Sequence, residues 1–235
     1  MNVTLMINGL ATTACFHDDE VDGLHKPLLK TLAQLQQTLQ RRTVVFLAAP
    51  PGTGKSTLAA FWEYLASHDP ALPAIQALPM DGFHYDNAYL MANNLRQYKG
   101  APQTFNVEKL AQALRALQQP DSYWPQYDRN LHDPVENAIR VTAPVVVVEG
   151  NWLLLNQPEW QALRQYCDIT LFISAAPSLL SARLINRKVR GGLTHEQAEQ
   201  FFHTTDGPNI LRVLENSVKA DVHMEMTAQG GYRRC

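Results

Sequence analysis

The chain has 235 residues, 46% of them hydrophobic and 18% charged, with 20 basic against 22 acidic side chains. This suits one α/β domain with a full core and excludes a disordered or fibrous chain. A net charge of −2 gives no basic groove for nucleic acid, and Cys15, Cys167 and Cys235 are too few and too far apart for a disulfide framework or a zinc site.

Val3 to Ile7 alternates apolar and polar residues, Asn8-Gly9 follows, and Leu10 to Phe16 continues extended. Asn-Gly between two such runs predicts a hairpin through a type I′ turn. This opening segment has neither the basic flank nor the long apolar core of a signal peptide. No run approaches the roughly eighteen apolar residues of a membrane span, so a cytoplasmic protein without membrane contact is expected. Leu24, Leu28, Leu32, Leu35 and Leu39 recur at helical spacing, with Pro27 in the first turn. Residues 1–40 carry no chemical cluster, and the pattern favours a packing element or a homodimer surface over a part in an active site.

Residues 44–57 read VVFLAAPPGTGKST. Val44 to Leu47 suit a strand buried on both faces of a parallel sheet. Gly52 and Gly54 let the backbone turn and aim its N–H groups at one centre, and the helix from Lys55 presents its positive end there. This is a phosphate-binding loop, with Pro51, Gly52, Thr53, Gly54, Lys55, Ser56 and Thr57 around a nucleoside triphosphate. Lys55 would reach the β- and γ-phosphates and Ser56 would offer its hydroxyl to Mg²⁺. Ala49 stands where the commonest form of the motif begins with Gly.

Strand patterns at 44–48, 74–79, 144–149 and 168–173, with a weaker one near 221–225, alternate with helical patterns at 55–66, 106–118, 158–166, 177–190, 194–205 and 209–217. Such alternation predicts a mostly parallel sheet covered by helices on both faces, with ligands beyond the carboxyl ends of the strands. Two acids fall there: Asp81 in Met80-Asp81-Gly82-Phe83-His84, and Glu149 after four valines. A lone acid at the end of an apolar strand is costly to bury, so it should face a cation or water. Beside a triphosphate an acid can hold Mg²⁺ or accept a proton from an attacking hydroxyl.

These residues resemble the P-loop kinases that include uridine kinase, phosphoribulokinase and bacterial pantothenate kinase. Within them the chain is most similar to an uncharacterised nucleoside/nucleotide kinase-like, or fructose-transport-system kinase, group. The resemblance implies that Asp81, in Asp81-Gly82-Phe83, orients and deprotonates the acceptor hydroxyl, and that Glu149-Gly150 assists the metal. Pro102-Gln103-Thr104-Phe105-Asn106 is similar to the family's Pro-Asp-Ala-Phe-Asp. Pro125-Gln126-Tyr127-Asp128 with His132 resembles the segment that lines the acceptor pocket of uridine kinases. Residues 183–190, with Arg183, Arg187 and Arg190, look like the arginine-rich helix leading into the family's lid. The resemblance spans roughly residues 40–226 and leaves the N-terminal hairpin and helix outside. There are departures. Gly100-Ala101-Pro102 stands where uridine kinases carry an acid that grips the ribose, His84 replaces an aromatic, and Gly191-Gly192-Leu193 lacks the lid's second arginine.

Arg183, Arg187 and Arg190 share one helix face; Arg187 and Arg190 are expected over the γ-phosphate, Arg183 in a structural role. Tyr123, Trp124, Tyr127 and His132, with Asp128, Arg129 and Asp133, suit either a pocket for a small polar molecule or an edge hairpin packing its rings on the domain. His84, Tyr127 and His132 are the candidate substrate contacts. His17, His25, His68 and His223 have no metal-ligand spacing. Asp206-Gly207-Pro208-Asn209 should end one helix and begin the next, with Asn209 as N-cap.

The expected protein is one P-loop kinase domain: an extension (1–40), a core (41–226) and a lid at about 187–206. It would transfer the γ-phosphoryl group of ATP, with Mg²⁺, to a hydroxyl of a sugar, nucleoside or pantothenate-like alcohol. The rival is a P-loop regulatory protein without kinase activity. Neither the Asn-Lys-x-Asp of a GTPase nor the Leu-Ser-Gly-Gly-Gln of a transporter ATPase is present. An enzyme that phosphorylates a phosphate is disfavoured by Asp81, because an acceptor phosphate needs cations and no base.

Overall fold

Alternation in the first residues becomes a hairpin in the computed structural model, which describes residues 1–7 and 9–235. Strand β1 (Asn2–Ile7) pairs antiparallel with β2 (Leu10–Cys15), Ile7 opposite Leu10. Asn8, the first residue of the expected turn, lies outside the described residues. Val3 and Leu5 point inward and are buried, which fixes the register, since a one-residue slip would turn both to solvent.

The leucine-spaced helix is longer than its pattern. A first turn, α1 (Asp18–Glu20), runs through a π-turn (Val21–His25) into α2 (Lys26–Leu39). Pro27 has no N–H to donate, so the wider turn just before it costs no hydrogen bond at that position. Inside it His25 is fully buried, its Nε2 2.8 Å from Glu20 Oε1, while Trp62 Nε1 donates to its Nδ1 at 3.2 Å. Those partners make His25 a core residue.

Strand β3 (Thr43–Ala48) is buried along its whole length, and α3 (Lys55–Ser67) follows the phosphate loop. Next come β4 (Ile75–Pro79), a 3₁₀ turn (Met80–Phe83), α4 (Asn87–Ala92) and α5 (Val107–Ala116), the last capped by the Asn106 side chain. Strands β5 (Ser122–Asp128) and β6 (Asp133–Val141) form a separate antiparallel hairpin that the strand pattern alone did not place. It packs its rings and also faces the cleft: Trp124 is fully buried and donates to the carbonyl of Pro79 at 2.8 Å, tying the hairpin to the end of β4.

Strand β7 (Val145–Gly150), a short α6 (Pro158–Gln161), β8 (Ile169–Ser174), α7 (Pro177–Arg190), α8 (His195–Phe201), α9 (Gly207–Asn216), β9 (Val222–Met226) and β10 (Tyr232–Arg234) complete the chain. The sheet runs β10-β9-β8-β3-β7-β4, parallel except for β10. Alternate residues of β3 feed two cores. Val45 and Leu47 pack with α2, α3 and α7, whereas Val44, Phe46 and Ala48 pack with α5, β5 and Trp152.

The second helical boundary differs from expectation. Thr194 and Gln197 form a reciprocal capping box at α8, but the chain does not break at Asp206. A π-turn (Phe202–Asp206) carries it into α9, where Pro208 occupies the first turn and Asn209 is already inside the helix. Proline needs no N–H partner there, so Asn209 is not the cap. Among the described residues no helix is long and apolar enough to cross a membrane.

Candidate active site

The phosphate loop is held by a bond of its own and by groups from two distant segments. Gly52 and Gly54 take φ of 90° and 80°, a left-handed conformation that costs an ordinary residue about 1–2 kcal/mol. The buried Thr53 donates its hydroxyl to the Pro50 carbonyl at 2.9 Å, and its own carbonyl accepts from Tyr232 Oη at 2.6 Å. Arg183 Nε donates to the Gly52 carbonyl at 2.8 Å. A Cβ on Gly54 would meet Tyr232 Oη at 2.9 Å. With the Gly52 and Thr53 carbonyls taken up by these donors, the loop glycines lie together with the first turn of α3.

They face a cavity of about 460 Å³ lined by Lys55, Ser56, Thr57, Arg183, Arg187 and Arg190. Arg129, from the turn between β5 and β6, completes its cationic wall, and no acid among the described residues lines it. Five cations around a helix N-terminus make an anion site of high charge. Arg187 lines the cavity and keeps an exposed surface; desolvation by its neighbours, opposed by Asp206, holds its guanidinium pKa below the usual value. Asp206 is pushed up by burial, against Lys188 and Arg187, and its Oδ2 has no hydrogen-bond partner among the described residues.

The N-terminal hairpin packs on the domain as expected and also reaches this cavity. Ile7, Leu10 and Thr12 line the same cavity. The reason is register: β1 packs along α3, and α3 begins at the phosphate loop, so the hairpin tip overhangs it.

The two acids converge from neighbouring strands. Pro79 of β4 pairs with Glu149 of β7, and Glu149 with Leu47 of β3. Asp81, two residues beyond Pro79, therefore lies beside Glu149, each at a strand's carboxyl end. Glu149 is 6% exposed, and Ser56 Oγ donates to its Oε1 at 2.7 Å. Burial raises the Glu149 pKa, Lys55 opposes this, and Asp81 adds to it. A hydroxyl and a buried carboxylate in contact are hard oxygen donors that fit Mg²⁺, which takes few protein ligands and completes its shell with phosphate and water. No group of three His, Cys, Asp or Glu side chains fit to hold a metal occurs among the described residues. Asp81 itself is exposed.

Of the candidate substrate contacts, two sit near Asp81. His84 stacks on Phe105 at 3.8 Å between centroids and meets the Tyr127 ring edge-on at 5.7 Å. Burial lowers the His84 pKa while Asp81 pulls it up, and burial first, then Asp133 and Asp81, pushes the Tyr127 hydroxyl to about 12. His132 is different. It is exposed, with φ of 56°, and its carbonyl accepts from Lys99 Nζ at 2.8 Å and Asn87 Nδ2 at 3.0 Å. His132 ties the loop through its backbone carbonyl. Tyr232, Ile7 and Leu10 are contributors that sequence patterns missed, as each reaches the site from a segment without a motif, and Arg129, read in the sequence only as part of the 123–133 cluster, lines the phosphate cavity.

No family model matches the chain. It is 57% identical over 233 residues to the uncharacterized protein YggC of Escherichia coli K12, covering 99% of this chain and 98% of that one. It is 30% identical to a candidate uridine kinase of Schizosaccharomyces pombe, across 79% of this chain and 84% of the relative. The crystal structure of a candidate fructose transport system kinase from Silicibacter sp. TM1040 superposes with a TM-score of 0.74 at 31% identity, covering 82% of this chain and 98% of that one. With that likeness along the core and a phosphate loop facing a buried acid, the chain belongs to the P-loop kinases related to uridine kinase and bacterial pantothenate kinase.

Proposed function

We propose that the protein is an ATP-dependent kinase that phosphorylates a hydroxyl of a small metabolite: a sugar, a nucleoside or a pantothenate-like alcohol. One observation carries this reading. Asp81 is exposed and its charge acts on both Glu149, bonded to Ser56, and Arg187 of the phosphate cavity, which supports a proton acceptor next to the triphosphate cradle. Lys55 and the loop amides would hold the β- and γ-phosphates. Ser56 and Glu149 would hold Mg²⁺, whose chemistry when bound is to neutralise charge on the phosphate oxygens. Asp81 would orient the alcohol and take its proton as the oxygen–phosphorus bond forms and the β–γ bridge bond breaks, leaving ADP. Arg187 and Arg190 would contact the equatorial oxygens of the transferring group and exclude water.

The acceptor side supports exclusion more than identity. Where uridine kinases grip the ribose, Gly100 has φ of 102° and its carbonyl accepts from Trp152 Nε1 at 2.9 Å. A residue without a side chain offers ribose no acid, which disfavours uridine and cytidine. The rival reading, a nucleotide-binding regulatory protein, rests on this unfamiliar pocket.

The test is ADP release from Mg·ATP with pooled sugars, nucleosides and vitamin-precursor alcohols, for the wild type and Asp81→Asn. One pool should stimulate the wild type. The variant should lose roughly 10²–10⁴ in rate, the range for a general base, with Mg·ATP affinity unchanged. Tight ATP binding without response to any pool would favour the regulatory reading, and full turnover in Asp81→Asn would remove the proposed base.

A further inference from the structure

The cavity's cations have different standing. Arg183 is engaged by the Gly52 carbonyl, and Arg187 has Asp206 near it. Arg129 comes from outside the lid, and no ion pair of its guanidinium occurs among the described residues. The acid beside it is occupied elsewhere: Asp128 Oδ1 accepts the N–H groups of Asn130 at 2.7 Å and Leu131 at 3.0 Å, and those bonds pull its pKa down.

The turn that carries Arg129 is fixed at both ends. On one side Trp124 is tied to Pro79. On the other, the Asn87 N–H donates to Asp133 Oδ1 at 2.8 Å, and Lys99 and Asn87 hold the His132 carbonyl. From there Arg129 lines the phosphate cavity with Lys55, and its charge is felt by both Glu149 and Arg187. Across a second gap of about 390 Å³ it faces Leu10 of the N-terminal hairpin. Leu10 is exposed and apolar and can take no part of its charge. An unpaired guanidinium on a rigid turn, between an apolar wall and a phosphate cradle, is placed for an anion.

We propose that Arg129 is a further catalytic residue, an arginine that contacts the transferring γ-phosphoryl group from the β5–β6 hairpin, opposite the lid arginines. Its partner is the terminal phosphate oxygens, present in ATP and absent from ADP. Arginine binds such oxygens through two parallel N–H donors, which an ammonium cannot reproduce. The N-terminal hairpin is the wall that keeps this contact out of bulk water, where it would be weaker.

The experiment compares equilibrium affinities, by titration calorimetry with Mg²⁺, for ADP and for the ATP analogue with an imido β–γ bridge. In Arg129→Ala the analogue should bind about tenfold more weakly, as befits loss of a charge-assisted bond, while ADP affinity changes less than about twofold. Arg129→Lys should recover part of the loss. Equal weakening for both nucleotides, accompanied by a lower melting temperature, would mean a structural role and overturn the proposal. So would unchanged discrimination with a higher KM for an acceptor, which would assign Arg129 to the acceptor instead. The titration needs no acceptor, so it can fail while the hydroxyl-kinase reading stands, and the reverse.

Discussion

The hydroxyl of Tyr232 offers a sharp perturbation, because it joins the last strand to the phosphate loop through one bond. Tyr232→Phe keeps the ring in place against His25, 6.2 Å away between centroids, and deletes the donor 2.6 Å from the Thr53 carbonyl. That carbonyl is buried with its residue, so water cannot readily replace the donor. Leaving a buried acceptor unpaired costs about 1–3 kcal/mol, which in a chain of this size lowers Tm by about 2–4 °C per kcal/mol. Mg·ADP affinity should fall with it, because the loop loses one of the groups that turn its carbonyls away from the phosphates. A second change separates this from general destabilisation. Gly54→Ala bears two costs: a left-handed φ of 80°, about 1–2 kcal/mol, and a Cβ 2.9 Å from that same hydroxyl. Only the second disappears when Tyr232 is Phe. Gly54→Ala should therefore cost less in the Tyr232→Phe background than alone, by at least about 0.5 kcal/mol, a coupling typical of residues in contact. The assay is denaturant melting of the four proteins in the cycle, with Mg·ADP titration of each. Strict additivity, with Tm and affinity of Tyr232→Phe unchanged, would refute the view that the C-terminal strand supports the loop.

Glu149→Gln should raise the Mg²⁺ concentration needed for half-maximal turnover by about tenfold or more, and an unchanged Mg²⁺ requirement in a magnesium titration would remove Glu149 from the metal site. Uridine and cytidine should be poor acceptors, and efficient turnover at micromolar concentrations would contradict the part given to Gly100. Burial pushes the Cys167 thiol up to about 12 while Cys15 and Cys235 are exposed; an aromatic disulfide reagent at neutral pH should therefore titrate two thiols promptly and the third only in denaturant. His84 is held neutral by burial, so its folded pKa lies below the ordinary 6.5. Unfolded chains then bind a proton that folded ones do not, and the stability this contributes, present above that pH, is lost as the pH falls toward the folded value. His84→Gln should flatten this part of the pH dependence of Tm, and an identical slope would show that other groups carry it.

The sequence by itself determined the strand–loop–helix of the phosphate site, the parallel sheet and the strand-end acids. Each is written locally: buried valines fill a two-sided strand, glycines permit φ above zero, and an acid after an apolar run must find a polar site. The row of arginines on α7 was legible for the same reason, since a spacing of three and four fixes one helix face. Tertiary structure decided everything that crosses between segments. Nothing in Gly230-Gly231-Tyr232 marks a phosphate-loop donor; that role exists because an antiparallel β10 ends the sheet on the loop's side. Nothing in Ile7, Leu10 or Thr12 marks a wall of the phosphate cavity; they line it because β1 packs along the helix that starts at Lys55. His132 was legible as a candidate contact from its segment, whereas the exposed side chain and the carbonyl bonded to Lys99 and Asn87 follow from the turn's contacts across the fold. Helix starts slipped where prolines sit, as at Pro27 and Pro208, since a missing N–H lets the chain run on through a π-turn where composition suggested a break. Local pattern specifies what a segment can form and bury, whereas which distant groups meet is set by register and topology, which no single window of sequence contains.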